Sequence, residues 1–208
     1  MAVVFLDRQH AGKPGRRAAD RGASADLDGD GTIDTDELEA ILTMHYLTAA
    51  EVALLEDGHT VVPISDGWYS ARHDRVNAYS GTFGSEYGPQ VYVAAHLNAG
   101  WGGRPGKGYG SVFYDVRSRR GIRLAVAIAR ELRLVAPELS EAKAIECKPD
   151  GWTRGAFGTI GGVVRPVGIC YEPAFLDCPA HADLLGVDGL RAMGAALAHG
   201  IDKWAATQ

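Results

Sequence analysis

The chain has 208 residues, 46% hydrophobic and 23% charged, with a formal net charge of −5. That length and composition suit one globular domain with a sizeable core. The negative balance gives no general attraction to nucleic acid or to an anionic membrane, and no apolar run is long enough to span a bilayer. Two basic clusters, Arg16-Arg17 and Arg117 to Arg123, read as solvated faces. Cys147, Cys170 and Cys178 are odd in number and match no zinc-ribbon spacing. They read as buried, inert thiols of a chain made in a reducing compartment. The opening MAVVFLD has neither a basic leader nor a small-residue cleavage site, so the expectation is no signal peptide and synthesis in the cytoplasm.

In chain order, AVVFLD reads as a buried strand, followed by a loop rich in Gly and Arg and then by an acidic loop. A long helix is expected from about Leu38 to Glu56, with Gly58 as its C-terminal stop. HTVVPI is the next strand, SARHDRVNAYSG a short helix, and QVYVAAHLNAG a strand with polar residues at its C-terminal end. The glycine-rich GWGGRPGKGYG leads into the strand SVFYDV rather than into a helix, so it lacks the helix N-terminus of a nucleotide cradle. RGIRLAVAIARELRLV has helical spacing, GGVVRPVGICYE reads as a strand ending in Glu172, and an amphipathic helix closes the chain. The alternation predicts a single α/β domain, a twisted, largely parallel sheet with helices on both faces and a site at the C-terminal ends of the strands.

The acidic loop DLDGDGTIDTDE has every feature of a twelve-residue calcium loop. Asp26, Asp28 and Asp30 occupy positions 1, 3 and 5, and Gly31 the sharp turn at position 6. Thr32 offers a backbone carbonyl at 7, Asp34 stands at 9, and Glu37 is the bidentate ligand at 12. The incoming helix is poor and no second loop pairs with it. That favours a structural calcium over a sensor that opens a groove.

Polar residues at strand ends suggest a second metal. His10 follows the first strand, His96 ends the VYVAAH strand, and Glu172 ends the last one. Two imidazoles and a carboxylate make a catalytic zinc set with a fourth position for water, and Glu39 is a further carboxylate near the same edge. His45, His59, His73, His181 and His199 have no ligand spacing.

The stretches VVFLDRQHAG, DRGA, VAAHLNAG and GICYEPAF, in this order and approximate spacing, resemble the zinc-dependent N-acetylmuramoyl-L-alanine amidases, a catalytic domain of cell-separation amidases and phage endolysins. The resemblance implies zinc ligands His10, Glu39 and His96, a catalytic Glu172, and hydrolysis of the bond between N-acetylmuramic acid and L-alanine in peptidoglycan. The chain is further expected to be a monomer, made in the cytoplasm and acting on the cell wall after release. Arg8-Gln9 before the histidine, Thr43 in the helix and EPAFLDC after Glu172 depart from the family pattern. Residues two apart on a helix point about 200° apart. Glu37 is thereby expected to face calcium and Glu39 zinc, the calcium supporting the helix of a zinc ligand. Competing readings are a zinc peptidase or other amidohydrolase, and a calcium-dependent binding module without catalysis.

Overall fold

The strand β1 (Val3–Arg8) is buried along all but its last residue. Val4 and Leu6 enter one core and Val3 and Phe5 another, as a strand covered on both faces requires. The computed structural model describes residues 1–14, 20–102 and 104–208, so the Arg16-Arg17 cluster and Gly103 of the glycine-rich loop lie outside it.

β1 pairs in parallel with β2 (Thr60–Ile64) on one side and β3 (Gln90–Ala95) on the other. β3 pairs in parallel with β6 (Val167–Glu172). β6 meets β4 (Gly110–Asp115) antiparallel, and β4 meets β5 (Ala142–Cys147) in parallel. The six-stranded order is β2-β1-β3-β6-β4-β5. This is the expected largely parallel sheet, with a reversal at the β6–β4 junction. The sequence reading assigns no element to β5 or to the short helix α4 (Arg154–Ile160).

One face is covered by α1 (Glu39–Glu56), α3 (Arg119–Val135) and α6 (Val187–Ala205), with α6 against both of the others. Tyr46, Leu124, Ile128 and Trp204 from these helices are buried in that core. Each such side chain contributes about 1.5–3 kcal/mol on leaving water. The opposite face is covered by α2 (Tyr69–Ser80) and α4, through Val76 and Ile160. A four-residue helix, α5 (Ala182–Leu185), precedes α6. The three cysteines are free and buried.

The helix that carries Glu39 differs from expectation at its start. Thr35–Glu37 form a 3-10 turn, Leu38 is extended (φ −85°, ψ 136°), and α1 begins only at Glu39. Glu37 and Glu39 are therefore not on one helix. Their carboxylates do point apart, but the break at Leu38 separates them, not helical periodicity.

Candidate metal centre and catalytic cleft

His10 lies just beyond the C-terminal end of β1, and His96 directly follows β3. The parallel pairing of these neighbouring strands sets the two side by side. Main-chain bonds fix His96: its amide donates to Tyr171 O at 3.0 Å, and Tyr46 Oη donates to its carbonyl at 3.0 Å. Glu39, at the start of α1, reaches across to both. His10 Nε2 is 3.2 Å from Glu39 Oε1 and 3.1 Å from His96 Nδ1, and His96 Nδ1 is 3.0 Å from Glu39 Oε1.

That near-equilateral triangle fits zinc. Ligand atoms at about 2.0–2.1 Å from a tetrahedral ion stand about 3.3 Å from one another, and imidazole and carboxylate are its usual donors. The three side chains are almost wholly buried, and all three donor atoms converge. Burial alone would raise Glu39, but its bonds to His10 and His96 hold it well below the usual carboxylate range. Burial pulls His96 down, and Glu39 more than reverses that, leaving its pKa raised.

Glu39 and His10 are held from behind. The Ala23 amide donates to Glu39 Oε2 at 2.7 Å, and the Leu97 amide donates to Oε1 at 2.9 Å. Gly22, at φ +77°, lies against Glu39, where a Cβ would collide with Oε2. His10 Nδ1 is 3.2 Å from Asp20 Oδ1, which fixes the ring so that Nε2 faces the centre. Against its burial, Lys13 at 2.7 Å and the Gly22 amide hold the Asp20 carboxyl at about 2.

Arg72 is a positioning residue that the sequence reading does not single out. Its fully buried guanidinium pairs with buried Asp7 and also donates to the carbonyls of Arg8 at 2.8 Å, Ala11 at 2.6 Å and Gly67 at 2.8 Å. One side chain from α2 thus ties down the turn that carries His10. Tyr92 Oη donates to Asp7 Oδ2 at 2.5 Å and completes the cluster. In the sequence Arg72 is one more polar residue of a polar helix, so only its burial reveals it.

Glu172, the last residue of β6, shares with His96 the lining of a cleft of about 510 Å³. Burial pushes its pKa up; His96 opposes this and Glu39 adds to it. A carboxyl so placed takes up a proton readily, as a general base must. Trp101 and Phe175 pack together at 5.1 Å beside the cleft, with Tyr109 edge-on to Phe175 at 5.1 Å. Trp101 is mainly a packing residue there, being 9% exposed.

The acidic loop stands apart from this centre. Carboxylate oxygens of Asp26, Asp28 and Asp30 lie within 4.8 Å of one another at the surface. The turn uses Gly31 at φ +88°, as expected at that position. Asp34 is exposed, and its amide donates to Glu37 Oε2 at 2.8 Å. Thr32 donates through its amide to Asp30 Oδ1 at 2.8 Å. Glu37 does not join the aspartates: its Oε1 accepts from the amides of Leu27 at 2.5 Å and Asp28 at 3.3 Å. It closes the loop from within. At the base, the Glu39 amide donates to Ala23 O at 2.9 Å and the Ala40 amide to Arg21 O at 3.1 Å, beside an antiparallel bridge between Ser24 and Leu38.

The single α/β domain with its six-stranded, mostly parallel sheet matches the fold of N-acetylmuramoyl-L-alanine amidase catalytic domains. Among solved structures, the catalytic domain of CwlV from Bacillus (Paenibacillus) polymyxa var. colistinus superposes with a TM-score of 0.73 at 16% identity, covering 100% of both chains. AmiC2 of Nostoc punctiforme gives 0.71 at 17% identity, over 97% of this chain and 96% of that one. Cwp6 from Clostridium difficile gives 0.70 at 20% identity; 97% of this chain is covered, but it spans only 29% of that protein. No protein-family profile and no curated protein matches the sequence.

Proposed function

We propose that the chain is a zinc-dependent N-acetylmuramoyl-L-alanine amidase acting on peptidoglycan. The observation that carries this reading is the His10–Glu39–His96 triangle beside Glu172, on a fold shared with peptidoglycan amidases. His10 Nε2, Glu39 Oε1 and His96 Nδ1 would hold the ion, which when bound supplies Lewis acidity to the scissile carbonyl and to water.

The chain's own residues do the rest. Asp20 keeps His10 in the tautomer whose Nε2 lone pair faces inward. The Ala23 and Leu97 amides hold Glu39 in place. Glu172 takes a proton from water as it attacks the carbonyl and passes it to the departing L-alanine nitrogen. The C–N bond breaks, giving the lactyl carboxylate and a free amine. In the same reading the acidic loop binds calcium through Asp26, Asp28 and Asp30 as structural support, and the protein works as a monomer on the cell wall after release from the cytoplasm, as an endolysin does.

Elemental analysis beside a peptidoglycan assay tests the proposal. One zinc per chain, lost in His96→Ala and kept in Glu172→Ala, is expected. Only the wild type should release new L-alanine amino termini. Wild type without zinc after zinc is supplied, or loaded with zinc yet releasing no such termini, overturns it.

A further inference from the structure

Arg104 is the one arginine or lysine in the described lining of the catalytic cleft, which Glu172 also lines. Arg104 is exposed, and among the described residues it makes no ion pair. Its loop is nevertheless built to present it. The Asp177 carboxylate accepts the amides of Gly100 at 3.0 Å, Trp101 at 3.0 Å and Gly102 at 2.9 Å. Trp101 then grips the arginine's own backbone: its Nε1 donates to Arg104 O at 3.0 Å, and its carbonyl accepts the Arg104 amide at 3.3 Å. The guanidinium carbon lies 5.9 Å from the Trp101 ring centroid.

A guanidinium on a braced loop, lining a cleft and without an ion-pair partner among the described residues, is a ready carboxylate receptor. We infer that Arg104 binds a free carboxylate of the substrate's peptide, so that the enzyme selects acidic stem peptides over amidated ones. The inference rests on the amidase reading for the nature of the substrate; the recognition itself needs only the cleft. Asp177 acts as a positioning residue, since its carboxylate is taken up by the three amides.

The test is binding to zinc-loaded Glu172→Gln protein, in which turnover is blocked. The probes are two N-acetylmuramoyl peptides of the same sequence, one with free side-chain and terminal carboxylates, the other with carboxamides. The free-carboxylate peptide is expected to bind on the order of tenfold more tightly, as charge-assisted hydrogen bonds allow. In the Arg104→Gln, Glu172→Gln double variant the ratio should fall to about one, with the carboxamide affinity and the melting temperature unchanged. Equal affinity for both peptides, or no binding of either, overturns the assignment. An absence of cleavage by the wild type together with carboxylate-selective binding would instead count against the amidase reading alone.

Discussion

The Ala23 amide and the Glu39 carboxylate are 2.7 Å apart, joining the segment that enters the acidic loop to the helix that leaves it. The candidate metal centre is thus braced by main chain on both sides of the loop. Gly22 is the tightest point of that contact. Gly22→Ala places a Cβ on Glu39 Oε2 and in a left-handed conformation that alanine resists. It should weaken zinc binding about 10- to 100-fold, the usual cost of disturbing a ligand's support. A competition titration with a chromophoric chelator measures this, and an unchanged dissociation constant would refute it.

Arg72→Ala leaves Asp7 buried without its partner and frees three carbonyls around His10. The expected loss of stability is about 3–5 kcal/mol. Arg72→Lys should recover little, because one ammonium cannot reach the Arg8, Ala11 and Gly67 carbonyls together. Urea unfolding of the zinc-loaded proteins checks both; a Lys variant as stable as wild type would contradict the role assigned here.

The metal-free centre has a definite pH dependence. Glu39 is depressed, so its contribution is present above its unfolded value, about 4.3, and is lost as pH falls through the lower native one. His96 is raised, so its contribution is present below about 6.5 and is lost as pH rises through the higher native value. The pair therefore steadies the metal-free protein most between about pH 4.3 and 6.5. Zinc needs the neutral imidazole, so the gain in melting temperature on adding zinc should be larger at pH 8 than at pH 6. A larger gain at pH 6 would contradict the linkage.

For the acidic loop, calcium at a hundredfold over its dissociation constant should add about 2.7 kcal/mol, or on the order of 5–10 °C in melting temperature. Asp26→Ala or Asp30→Ala should abolish that gain while altering turnover at saturating zinc much less. Melting curves of wild type with and without calcium decide it; superimposable curves remove calcium from the account.

In the candidate metal centre, His10 and His96 are legible in the sequence as histidines at strand ends, and Glu39 through the family resemblance. His10, Glu39 and His96 do converge, and Glu172 borders the same cleft. What failed to show was geometry without a local signature. The direction of β4 cannot be read from SVFYDV, because a strand buried on both faces looks alike in either sense. β5 escaped notice because AKAIEC is a half-exposed edge strand with weak alternation, and α4 because RGAFGTI is short and holds two glycines. Glu37 precedes the helix by two residues, because Leu38 is extended and breaks the run that the sequence suggests. Asp7 and Arg72, 65 residues apart, became partners only in three dimensions.

The bridge between Ser24 and Leu38 gives the acidic loop one more property. Its two ends meet, so the segment between them is a cassette hung from a closed stem. Chain length inside such a closure can change at small entropic cost, about 0.6 kcal/mol per doubling. Asp20, Gly22 and Ala23 lie on one side of the stem and Glu39 on the other, all outside the cassette. This surface loop can lengthen, shorten or be recoded while the candidate metal centre keeps its register.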